Sequence, residues 1–158
     1  MANTQSMCTS FLGELMTATH NFGTAPIRAA TTADTFKAAL YVTTATYDAA
    51  TTAYSTSGEV SGTGYTAGGV AVTNANAPAS TNTSATAGTA YWTPSASITY
   101  TSVTLTTAFD TVLIYNSTQS NKAVSVHTFG SQTITSGTFT LTMPSNTTST
   151  ALLRLATT

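Results

Sequence analysis

From Thr35 onward the apolar positions follow a period of two, the spacing that puts alternate side chains on one face of a β-strand. In "TFTLTM", Phe139, Leu141 and Met143 fall on one side and Thr138, Thr140 and Thr142 on the other, which predicts a half-buried strand. "KAVSVHTF" turns Val124 and Val126 one way and Ala123, Ser125 and His127 the other. "FDTVLIYN" is apolar on both sides through Val112, Leu113, Ile114 and Tyr115, so it predicts a strand covered on both faces. In "SITYTSVTL" the apolar set moves from Ile98 and Tyr100 to Val103 and Leu105, a change of phase that marks a bulge or a bend. With "FKAALYV", "VAVT", "AYWT" and the terminal "ALLRLA", the pattern amounts to about eight short strands separated by turn signals. That predicts an all-β fold, an antiparallel β-sandwich or jelly-roll-like domain over residues 34–158.

Residues 1–33 read as an N-terminal arm with a short helix. In "SFLGELMTATHNF" the residues Phe11, Leu12, Leu15 and Met16 recur on one helical face, Ser10 suits the N-cap, and Glu14 sits in the first turn, where the helix dipole favours an acid. So short a helix does not hold in water unaided, so its stripe rests either on its own domain or on a neighbouring subunit. Phe11, Leu12, Leu15, Met16 and Phe22 are therefore the candidate interface residues. The stretch from Asn74 to Gly88 has no large apolar residue and reads as a loop, mobile or ordered by contact with something else.

Composition narrows the function. Of 158 residues, 40 are threonine, whereas Lys and Arg together number 4 and Asp and Glu 5. Almost any face of such a chain can dock without burying an unpaired ion. The net charge of -1 offers no electrostatic footprint for nucleic acid. No apolar run approaches the roughly 18 residues that span a bilayer, and the N-terminus lacks the basic region of a secretory signal. A cytosolic chain starting near Met1, without a membrane partner, is expected. Cys8 is the single cysteine, read as an exposed and incidental thiol.

"GEVSGTGYTAGG", Gly58 to Gly69, holds five of the ten glycines. "GTGYTA" formally satisfies G-x-G-x-x-A, but a dinucleotide site needs a buried strand before it, a helix after it and an acid about 20 residues on. A polar run precedes it, Gly68 and Gly69 break any helix, and no Asp or Glu occurs between Glu59 and Asp110. Gly58, Gly62, Gly64, Gly68 and Gly69 are thus read as a structural turn, supplying positive φ or close backbone approach. Nucleophilic chemistry would draw on His20 or His127 with Asp34, Asp48 or Asp110 behind, and no motif assembles them. Neither carboxylates nor histidines occur at the short spacings of a metal or paired-acid site. No catalytic, cofactor or metal residue is assigned.

The run "YSTSGEVSGTGYTAGGVAVT", followed by "AYWTPSASIT" and then "FDTVLIYNSTQSNKAVSVHTFGSQTITSGTFTLTMP", resembles a family of small tailed-bacteriophage virion proteins. The arm "FLGELMTATHNFG" is also similar to the start of these proteins. The resemblance covers most of the chain after Ala33. It implies a non-enzymatic structural protein of the virion, made in the host bacterial cytoplasm. Its expected role is a capsid decoration or cement protein that binds the lattice of the major capsid protein as a homo-oligomer, with a trimer favoured. Trp92, Ile114, Tyr115 and Phe139, with the glycine segment, carry over as scaffold positions. The alternatives are a head-tail connector or tail component with the same fold, and a carbohydrate-binding module lined by Tyr91, Trp92 and Tyr100.

Overall fold

A computed structural model describes residues 3–8, 11, 15, 19–20, 22, 33–81 and 88–156. Among these residues the fold is all-β, with eight strands in two antiparallel sheets: β1 (Ser6–Met7), β2 (Phe36–Val42), β3 (Val70–Val72), β4 (Ala79–Ser80), β5 (Thr89–Trp92), β6 (Ile98–Asn116), β7 (Lys122–Leu141) and β8 (Leu153–Ala156). The larger sheet has the order β1-β7-β6-β2-β3 and the smaller the order β4-β5-β8. Two of the strands are far longer than the short runs expected. "SITYTSVTL" and "FDTVLIYN" fuse into the 19 residues of β6, and "KAVSVHTF" and "TFTLTM" into the 20 of β7.

The phase change between Tyr100 and Val103 is what lets one strand carry both patterns. Pairing with β7 shifts register there, and Ser102 adopts a φ of 54° as the extra residue on β6. Ser136, at 48°, stands near it on β7. Left-handed backbone at non-glycine residues is costly, and here the two bulges bend the hairpin instead of breaking it.

At the other end of the hairpin, β2 and the adjoining halves of β6 and β7 are covered on both faces. Register partners share a face, so Phe36, Ala38 and Leu40 lie with Val112, Ile114 and Asn116, while Ala39 and Tyr41 lie with Leu113 and Thr111. The first face packs on the small sheet and the arm, with Phe36 4.6 Å from Phe22 and 6.1 Å from Trp92 between ring centroids. The second is roofed by the 43–69 connection, which stacks Tyr47 on Tyr41 at 3.8 Å and Tyr54 on Tyr115 at 4.7 Å. Burying each large side chain contributes about 1.5–3 kcal/mol, so the apolar run 112–115 is where the fold is anchored.

One expectation is narrowed and two change. Leu12 and Met16 of the proposed stripe lie outside the described residues, but Phe11 is 2% exposed and Phe22 7%. These two rings belong to the hydrophobic core, so the stripe rests on its own chain, one of the two supports expected for it; Leu15 packs partly buried beside them. Cys8, read as exposed, is fully buried, its amide donating to the Val124 carbonyl at 3.2 Å. The stretch after Asn74 is not all loop. β4 pairs Ala79 with Tyr91, Asn76 Nδ2 donates to the Thr93 carbonyl at 3.0 Å, and Trp92 Nε1 donates to the Asn76 carbonyl at 2.9 Å. Side-chain N–H donors, one a carboxamide and one an indole, therefore order residues that have no apolar anchor; residues 82–87 lie outside the description.

Candidate functional site

The glycine segment returns alongside β2 and folds around a single acid. Val60 N donates to the Leu40 carbonyl and Val42 N to the Gly58 carbonyl, both at 3.0 Å, which sets Glu59 opposite Tyr41. Turns closed by Tyr65 N to the Gly62 carbonyl and Gly69 N to the Thr66 carbonyl then curl the chain back over it. Glu59 Oε1 accepts from Tyr65 Oη and from Gly68 N, each at 2.7 Å, and Oε2 accepts from Tyr54 Oη at 2.6 Å. Tyr115 Oη donates to the Gly68 carbonyl at 2.8 Å, and Tyr100 Oη to the Ala38 carbonyl at 2.8 Å. Two nearly parallel ring pairs, Tyr54 with Tyr115 and Tyr65 with Tyr100, flank the carboxylate.

A glycine loop that holds phosphate aims backbone N–H groups at an external anion. Here the anion is the chain's own Glu59, and the Gly68 amide is spent on it. Gly58, Gly64, Gly68 and Gly69 have φ of 72°, 78°, 89° and 70°. At Gly69 the demand is double, because a Cβ would also collide with the Ala38 carbonyl oxygen. Gly62 has ordinary φ and is required by proximity alone, since a Cβ there would strike the Thr104 carbonyl oxygen. Burial first, and the neighbouring Glu59 carboxylate among the further causes, raises the phenol pKa of Tyr54 and Tyr65, and pushes Tyr115 up to about 12. The phenols therefore stay protonated and act as donors throughout the neutral range.

The two histidines are each committed elsewhere. Asn116, fully buried at the end of β6, brings its Nδ2 to 3.0 Å from His20 Nδ1 and 2.8 Å from Asp34 Oδ2, while its Oδ1 accepts from Thr118 N and Gln119 N at 3.1 Å. The carboxamide separates the histidine from the acid that would orient it. His127 Nε2 lies 2.9 Å from Ser125 Oγ, the spacing of a base and its nucleophile. Ser125 is only 1% exposed, however, and among the described residues no carboxylate hydrogen-bonds the ring. Burial pushes His127 down to about 4, so the ring is neutral at physiological pH. Asp48 accepts from Ala50 N in a local turn, and Asp110 accepts from Asn3 Nδ2 and Thr111 Oγ1.

Trp92 and Tyr100 are 3% and 2% exposed, so neither offers a ring face on which a sugar could stack. Among the described residues no group of three or more His, Cys, Asp or Glu is placed to share a metal ion, and no helix is long and apolar enough to cross a membrane. No sequence signal marked the tyrosines as a set, because Tyr54 and Tyr65 come from the 43–69 connection and Tyr100 and Tyr115 from β6, which only the fold brings together. No protein-family model, curated protein or solved structure matches this chain.

Proposed function

We propose that the protein is a structural component of a tailed-bacteriophage virion, a decoration or cement protein that binds the major capsid protein lattice as a homo-oligomer and has no catalytic role. The two sheets are read as the layers of a β-sandwich domain into which the arm is packed. The observation that carries this reading is the Glu59 site. The one motif that suggests a nucleotide ligand is filled from within, and its donors serve to pin a long connection onto the sheet. A sparsely charged, threonine-rich surface over a core clamped on both faces suits a part that must bind over wide areas and resist force.

The test is co-expression with the major capsid protein of the same particle, followed by sedimentation of the assembled shells. Pelleting with the shells at a fixed high copy number is the expected result. Recovery only in the supernatant refutes the reading, and a few copies per particle supports the connector or tail alternative instead.

A further inference from the structure

The most exposed piece of regular structure is the outer edge of β7. Its inner edge pairs with β6 along its length, but on the outer side β1 covers only Ser125 and Val126. Beyond that point no strand among the described residues pairs with β7 on this side. From Gly130 to Leu141 its residues are exposed or only partly covered. An unpaired edge this long is usually guarded by lysine, proline or an inward-pointing charge. None occurs here, for the sequence carries no Asp, Glu, Lys or Arg between Lys122 and Arg154.

Bulges twist part of this edge, but beyond Ser136 β7 itself carries no further extra residue. From Gly137 to Leu141 the partners on β6 run Val103, Tyr100, Thr99 and Ile98, and the extra residue lies on β6, not on β7. Thr138 and Thr140 point to the exposed side while Phe139 and Leu141 are half-buried. The backbone groups along such an edge are best satisfied by another strand. Among the described residues the other sheet edges are poor matches for it: β1 and β4 have two residues each, β3 has three, β8 has four, including Arg154, and β6 beyond its pairing with β2 is bulged at Ser102 and bridged at Thr104 by Thr63. The described edge whose length and neutrality best fit β7 is β7 of a second copy.

We propose that two copies pair antiparallel through residues 137–141 of β7 about a two-fold axis, joining their larger sheets into one continuous ten-stranded sheet. Identical residues meet near such an axis, so like charges there would repel. Thr138 and Thr140 carry none, and threonine pairs across strands favourably. The contact specifies a surface for the self-association proposed above, but it is tested without any capsid, so the two can fail separately.

The experiment is sedimentation equilibrium of the full chain beside a Thr138→Lys, Thr140→Lys double variant, with far-ultraviolet circular dichroism to show that both are folded. A wild-type dimer whose dissociation constant rises by about a hundredfold in the variant is expected. A wild type that stays monomeric, a trimer, or a dimer unmoved by the two lysines overturns the proposal. Should the variant not fold, hydrogen exchange on the wild type decides. Alternate amides between 137 and 141 slow as concentration rises if the edge pairs, and exchange at one rate at all concentrations if it does not.

Discussion

Glu59→Ala removes one acceptor group from three donors at once. Gly68 is buried, and its amide, left without the carboxylate, costs about 1–3 kcal/mol as an orphaned donor. Tyr65 loses a hydrogen bond to a charged group, worth about 1.5–3 kcal/mol, although its hydroxyl still accepts from Leu40 N at 3.1 Å. Tyr54 is half-exposed and exchanges the carboxylate for water, so its loss adds little. The sum is about 2.5–6 kcal/mol, a large part of the roughly 5–15 kcal/mol that holds a domain together. Glu59→Gln should behave differently. A carboxamide oxygen in the place of Oε1 keeps both Tyr65 and Gly68, and its NH2 can donate to Tyr54 once that hydroxyl rotates. A cost of about 1 kcal/mol is expected. Urea unfolding followed through the fluorescence of Trp92, the single tryptophan, measures both. An alanine variant within about 1 kcal/mol of wild type, or a glutamine variant as damaged as the alanine one, would refute the carboxylate's role as the centre of the loop.

Gly69→Ala combines a left-handed φ with a collision against the Ala38 carbonyl and should lower stability by about 3 kcal/mol or more, whereas Gly130→Ala meets only Gln132 Nε2 at 4.0 Å and should stay within about 1 kcal/mol; paired thermal melts compare them. Phe22→Ala opens a gap between Phe36 and Trp92 and should cost about 3–5 kcal/mol, and deletion of residues 1–22 should yield a chain without a cooperative unfolding transition by calorimetry. His127 binds its proton with a pKa of about 4 when folded against about 6.5 when unfolded, so the unfolded state takes up the extra proton between those values. Stability should therefore fall as pH drops from 6.5 to 4, by on the order of 3 kcal/mol at most, and His127→Gln should remove that part of the slope in denaturant midpoints measured across the range.

Strand positions were legible wherever the period of two was carried by large side chains. β2 matches "FKAALYV" residue for residue, and two-sided burial of 112–115 follows from an apolar run without alternation. The bulge at Ser102 was legible because a slipped phase has few other causes. Strand length was not, since a bulged strand and two separate strands write the same pattern. β4 was invisible for a different reason: Ala79 and Ser80 bury no large side chain, and the Asn76 carboxamide and Trp92 indole N–H that fix their surroundings act through backbone carbonyls. The glycines could be assigned to a turn, but not the turn's centre. Glu59 becomes that centre only through the fold, which brings Tyr54, Tyr65 and Gly68 to its carboxylate.

The Asn116 carboxamide also ties near and distant parts of the chain to one group. Its partners Asp34 and His20 lie 82 and 96 positions away in sequence, while Thr118 and Gln119 are its immediate neighbours. Closing the nearby hairpin turn costs little entropy and fixes one side of the amide; bringing in the leader of β2 and the arm closes much larger loops, a cost that burial in the sheet and in the aromatic slot between Phe36 and Trp92 must offset.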